Sequence, residues 1–293
     1  MNEPNDVSKP PAPLPLTGIH IVSIAVNLPG PACARRLADF GATVIKVEPP
    51  KLLGGDPMQQ YAQPYYEELH RGIDIRTLNL KSADDRIALD TLLESADVLL
   101  TSQREAALER LGLGWDQLQT RFPSLCQIAI VGSADNDDAG HDLTYLAAAG
   151  LAVPPQLPVT LMADLGGAER AVTATFAALR QKEISSQGQR MVVALEDAAH
   201  AFSGPYRHGL TAPGGMLSGG HPGYNFYPAQ DGWVVLAALE PHFAARVQSA
   251  SGVAFEHDAL AAYFKRGAIS HWSEWAAKND IPLAVLPLET TNN

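Results

Sequence analysis

Apolar strands and amphipathic helices alternate along the first two thirds of the chain, which predicts an α/β fold on a parallel sheet. Further on, a turn signal at Ala229-Gln230-Asp231-Gly232 between two apolar runs predicts a hairpin, and helical spacing follows it. That change of pattern predicts a second, smaller α+β domain. With 46% hydrophobic and 18% charged residues over 293 positions, the chain has enough apolar surface for two cores and too little charge for disorder.

Met1 to Pro15 is polar, then proline-rich, and reads as a disordered tail; no basic region precedes an apolar one, as a signal peptide requires. Ile19 to Ala25 is rich in β-branched residues and predicts a buried strand. Leu28-Pro29-Gly30-Pro31 turns the chain, Pro31 suits a first helical position, and Ala32 to Phe40 follows as a helix stopped by Gly41. Thr43 to Glu48 is the next strand, which completes a βαβ unit. Residues 51–70 show no period and read as a surface loop with an aromatic patch at Tyr61, Tyr65 and Tyr66.

Arg76 to Leu80 and Asp97 to Leu100 read as strands flanking a helix from Asp84 to Ser95, with Ile87, Leu89, Leu92 and Leu93 available for one face. Two short helices surround Gly112-Leu113-Gly114, and Leu125 to Val131 is a further strand. Arg190 to Leu195 reads as a strand, Glu196 to His208 as one helix, and 209–223 as a glycine-rich connection. Tyr224 to Tyr227 and Trp233 to Ala238 are the arms of the hairpin; short helices dominate from Pro241 onward. The expected organisation is a tail (1–15), a large Rossmann-like α/β domain (16–209) and a small α+β domain (210–293).

The formal net charge of −11 argues against a nucleic-acid partner, which needs a basic face. No window approaches the roughly 20 apolar residues of a membrane helix. Cys33 and Cys126 lie in apolar surroundings and read as reduced core thiols of a cytoplasmic protein. Gly-x-Gly-x-x-Gly is absent after the first strand, so a dinucleotide cofactor lacks its cradle. Gly-x-Ser-x-Gly is absent too, and no His, Cys or carboxylate series has metal-ligand spacing, so no metal is expected.

The stretch from Gly140 to Ala168 holds the candidate chemistry. His141 stands immediately before the run Leu143 to Ala149, and Asp164 before the amphipathic run Ala168 to Leu179. Helix starts carry partial positive charge and free donors, so both residues suit a site that handles an anion. Taken alone, each reads first as an ordinary helix start. Glu240, between an apolar strand and Pro241, is a third carboxylate at a helix start, again with a plain capping alternative.

Pro29-Gly30-Pro31 with Leu37 to Glu48, Gly54-Gly55-Asp56-Pro57, Ala96 to Leu99, Leu108 to Gly114, Gly140-His141-Asp142, Ala163 to Gly167, Gly188-Gln189 with Glu196 to Ala199, Gly219 to Tyr224, and Ala238 to Pro241 form a colinear series. Together these segments resemble family III CoA-transferases of the CaiB/BaiF type and, more closely, their α-methylacyl-CoA racemase branch. The resemblance implies a two-domain chain forming an interlocked homodimer, with acyl-CoA thioesters as substrates and no separate cofactor. Asp164 matches the aspartate that is the nucleophile of the transferases and one of two α-carbon bases in the racemases; the residues matching His141 and Glu240 form the opposite base.

That pairing favours a racemase or epimerase of 2-substituted acyl-CoA thioesters, since inversion needs a proton removed on one face and returned on the other. The backbone N–H groups beside Gly166 and Gly167 are the expected oxyanion donors. The alternatives are a CoA-transferase working through an aspartyl adduct, and a degenerate relative that binds CoA esters without catalysis. The familiar cationic segments are thinned here: Gln59 follows Met58, His70-Arg71-Gly72-Ile73-Asp74 replaces an Asn-Arg-Gly-Lys-Arg segment, and Ser102-Gln103-Arg104-Glu105-Ala106 replaces Asn-Phe-Arg-Pro-Gly. Arg71 and Arg104 remain as CoA-phosphate contacts. The segment that returns to the first domain in relatives is expected to be missing after Pro287.

Overall fold

The structure, a computed structural model, describes residues 12–136 and 138–288. Residues 1–11 of the expected tail lie outside the described residues. The chain divides into two compact units, with the break at Phe202/Ser203; the expected joint at residue 209 falls shortly after it.

The first unit begins with β1 (His20–Ser23), α1 (Pro29–Asp39) and β2 (Thr43–Glu48). Three consecutive residues, Pro29 to Pro31, suit a first turn where N–H groups have no helical acceptor, so α1 starts two residues earlier than Pro31. Gly41, at φ +98°, reverses the chain into β2 with its Cβ position only 2.7 Å from Leu14 Cβ, so a side chain here would be both strained and crowded.

Residues 51–70 are not a loop. After a 3-10 turn they form α2 (Met58–Tyr61) and α3 (Gln63–Leu69), with Tyr66 and Leu69 buried against the core. These helices are too short to show a 3.6-residue period, which hid them. Next come β3 (Asp74–Thr77), α4 (Ala83–Glu94), β4 (Val98–Thr101), α5 (Glu105–Leu111), α6 (Trp115–Arg121) and β5 (Cys126–Val131). In α4 only Leu89 and Leu93 are buried; Ile87 faces out. The unit closes with α7 (Asp142–Ala148), α8 (Met162–Ser185), β6 (Arg190–Ala194) and α9 (Leu195–Phe202).

All six strands pair in parallel in the order β3-β2-β1-β4-β5-β6. Alternate residues of β1, β2 and β4 feed two cores: Ile21, Val44 and Val98, with Ile128 of β5, pack with α1 and α8, while Val22, Val47 and Leu99 pack with α4, α5 and α6. The sheet is therefore covered on both faces, as a Rossmann-like architecture requires. The chain runs outward from β1 to β3 and then resumes on β1's other side at β4. That reversal opens a crevice beyond the carboxyl ends of β1 and β4, where ligands bind in such sheets.

The second unit contains α10 (Gly204–Arg207), an antiparallel sheet of β7 (Tyr224–Pro228), β8 (Gly232–Ala237) and a later β9, and the helices α11 (Pro241–Ser251), α12 (His257–Phe264) and α13 (Ile269–Asn279). The helix expected from Glu196 to His208 is interrupted at Ser203. β9 (Leu283–Pro287) is a strand the sequence reading missed; it completes the sheet by pairing with β8, Val285 opposite Val234. Tyr227, Val234, Leu260, Phe264 and Trp272 form this unit's own core. Cys33 and Cys126 are buried and unbridged. Among the described residues no helix is long and apolar enough to cross a membrane.

Candidate active site

His141 is the N-cap of α7, in extended backbone geometry with its side chain exposed. Its N–H donates to Thr144 Oγ1 at 3.0 Å and the Thr144 hydroxyl donates back to its carbonyl at 2.7 Å, which fixes the entry into the helix. The next residue, Asp142, is buried, and its Oδ1 accepts the backbone N–H of Asp164 at 3.0 Å. One hydrogen bond thus joins the starts of α7 and α8 across 22 residues of sequence.

Asp164 lies inside the first turn of α8, as its third residue, rather than capping it. A helix start lowers a carboxyl pKa, whereas burial raises it. Burial wins: together with the nearby Asp142 charge it pushes the Asp164 pKa up to about 7. Such a carboxyl holds both protonation states near neutrality and can accept or deliver a proton.

Two phenols flank it. Tyr61 donates to Asn27 Oδ1 at 3.4 Å, and Asn27, in left-handed backbone at φ +63°, donates its N–H to Asp56 Oδ1 at 3.2 Å. Tyr145 sits one helical turn beyond His141. Both phenols are held above their ordinary pKa by burial first and then by carboxylates, Asp164 among them. Beyond the ends of β4 and β5, a cavity of about 260 Å³ is lined by Gln103, Arg104, Gly132, His141 and Tyr145.

Among the expected site residues, His141 and Arg104 share that cavity, and Asp164 is tied to the same helix start through Asp142. Arg71 follows α3 with its side chain exposed, and its carbonyl accepts from the Arg35 guanidinium. Glu240 is carried by the second unit as the exposed N-cap of α11. Gly166 and Gly167 are corrected. They lie within α8, past the first turn, where their N–H groups belong to the helical ladder and are not free donors. Their missing side chains instead admit α9: an added Cβ would come 2.3 Å from Phe202 Cε2 at Gly166 and 2.2 Å from Leu195 Cδ2 at Gly167.

A buried polar cluster went unread in the sequence. Lys46, fully buried in β2, donates to Asp56 Oδ2 at 2.5 Å and lies 3.4 Å from Glu48 Oε1 and 3.2 Å from His70 Nε2. Tyr66 and Gln59 also donate to Glu48, at 2.7 and 3.2 Å. His70 Nδ1 faces the Tyr66 carbonyl at 2.7 Å, which assigns it the proton and leaves Nε2 to accept from Lys46. Burial, then the Lys46 charge, hold the His70 pKa below its ordinary value. Glu48, Asp56 and His70 bring their ligand atoms within 4.8 Å of one another, the spacing of a metal site, yet the Lys46 ammonium fills the place of a cation. The signal was a lysine inside the apolar run Val44-Ile45-Lys46-Val47.

A profile of CoA-transferase family III matches residues 16–280. The chain is similar to succinyl-CoA–D-citramalate CoA-transferase of Chloroflexus aurantiacus, with 30% identity over 82% of this chain and 65% of that protein. It is likewise similar to human α-methylacyl-CoA racemase, with 32% identity over 78% of this chain and 62% of the racemase. The chain thus spans less than two thirds of the length of these relatives. Two crystal structures share its fold: a hypothetical protein from Mycobacterium tuberculosis (TM-score 0.80, 23% identity, 95% of this chain and 87% of that one) and a CaiB/BaiF family protein from Brucella suis (TM-score 0.79, 22% identity, 95% and 85%).

Proposed function

The chain belongs to CoA-transferase family III, and on that premise we propose that it is a racemase or epimerase of 2-substituted acyl-CoA thioesters. The observation that carries this reading is the half-buried Asp164, with a pKa near 7, hydrogen-bonded through its amide to the helix start that presents His141. One of the two groups takes the α-proton and the C–H electron pair moves onto the thioester oxygen as an enolate. The other then returns a proton on the opposite face, so the two end each turnover with exchanged protonation states. Arg104, at the cavity, and Arg71 are the proposed contacts of the CoA phosphates. Glu240 remains a candidate for the histidine side of the reaction on the strength of the resemblance.

The second reading, CoA transfer with Asp164 as nucleophile, is favoured by the presence of a named CoA-transferase at similar identity among the relatives. One experiment separates them. In deuterated water with a 2-methylacyl-CoA, the racemase exchanges its α-proton, and Asp164→Ala abolishes exchange while the protein stays folded. Absence of exchange at high enzyme concentration, with a hydroxylamine-trapped acyl or CoA adduct, moves the assignment to the transferase. If neither is observed, both readings fall; CoA binding detected by calorimetry then leaves the non-catalytic CoA-ester-binding relative, and its absence removes that too.

We also propose a homodimer. Val153, Leu157, Val159 and Leu161 are all strongly exposed along one segment between α7 and α8, a cluster of apolar surface that a partner subunit would cover.

A further inference from the structure

With the helical amides of Gly166 and Gly167 engaged, the expected oxyanion donor must come from elsewhere. We propose that the Tyr145 phenol is that donor, a catalytic residue whose hydroxyl bonds to the thioester oxygen of the bound substrate; this rests on the acyl-CoA reading above.

The argument starts from two glycines. A Cβ added to Gly132 would lie 2.3 Å from the Tyr145 hydroxyl oxygen, and one added to Gly140 would lie 2.6 Å from it. Neither glycine has positive φ, so the backbone does not itself require glycine at either position. Their common effect is to leave room for one phenol oxygen. Gly132 follows β5 and Gly140 precedes His141, so two separate points of the loop between β5 and α7 are shaped around the same atom.

Tyr145 lines the cavity it shares with His141 and Arg104, and among the described residues its hydroxyl has no hydrogen-bond partner. An unengaged O–H in a partly desolvated site is available to a ligand, and leaving it unmade is unfavourable. The groups facing it are Asp164 from α8 and Glu196 from α9, both acidic, and burial adds to them in holding the phenol protonated. The hydroxyl is thereby kept as a donor and is unsuited to act as a base. As the α-carbon loses its proton to the catalytic base, negative charge grows on the thioester oxygen and the phenol hydrogen bond shortens onto it. The phenol keeps its proton throughout. The same donor serves the tetrahedral oxyanion of acyl transfer, so the inference does not depend on which branch of the family the chemistry follows.

Infrared difference spectroscopy of acetyl-CoA labelled with 13C at its carbonyl tests this without turnover. On the wild-type protein the thioester stretch is expected at lower wavenumber than in solution. On Tyr145→Phe, which keeps the ring and its packing, it is expected to return to the solution value, with kcat for the reaction reduced about 10²-fold and KM little changed. Gly132→Ala retains the phenol but displaces its oxygen, and should reproduce both effects. A shift that survives in Tyr145→Phe, or an unchanged kcat, overturns the assignment while leaving the acyl-CoA reading intact. Failure of the wild-type protein to bind acetyl-CoA removes that reading and this inference with it.

Discussion

Asp164 illustrates how a buried carboxyl costs stability. Its folded pKa, near 7, lies above the value of about 4 it takes in the unfolded chain. Folded and unfolded states hold the proton alike below that lower value. As pH rises toward 7 the unfolded state loses its proton first, so folding stability falls, and above 7 the penalty is constant. Asp164→Asn is therefore expected to be more stable than the wild type above pH 7, by on the order of 3 kcal/mol. The difference should vanish near pH 4, which thermal unfolding across that range will show. At this scale the helix starts at His141 and Asp164 were legible because each stands beside an apolar helical run that marks its place. Tyr145 was not, because its setting is defined by Gly132 and Gly140, which only the tertiary fold brings to its hydroxyl.

Among the elements, α2 and α3 with their buried network were the least legible and have the clearest energetic signature. Lys46 neutralises Asp56 and Glu48 where all three are almost wholly buried. Replacing it by methionine keeps the stem and removes the charge, so two carboxylates lose their cation. The expected loss is about 3–5 kcal/mol in urea unfolding, whereas Lys81→Met, at an exposed lysine, should change little. Such a network cannot be read from periodicity, since its members come from β2, the turn before α2, and the end of α3. β9 escaped for a different reason: Leu283 to Pro287 is a short apolar run whose strand character comes from pairing with β8, which no local pattern records. The strands β2 and β5, bounded by glycine, proline or charge, were evident within a residue.

At the scale of the molecule, alternation sufficed for the class of fold, and the strand order did not follow from it. β2 and β3 each pair beside the strand that precedes them in the chain, but the return to β1's far side at β4 is decided by packing of both sheet faces. The proposed homodimer makes a prediction here. Sedimentation of the wild-type protein should give twice the monomer mass, and Leu157→Asp with Val159→Asp should shift it toward monomer while circular dichroism is unchanged. A wild-type monomer at high concentration removes the proposal. The Asp142 carboxylate, by gripping the Asp164 amide, holds two helix starts in register independently of the segment that links them. That linker can lengthen, shorten or change its side chains while His141 and Asp164 stay where they are, so under the proposed function recognition and chemistry are free to diverge separately.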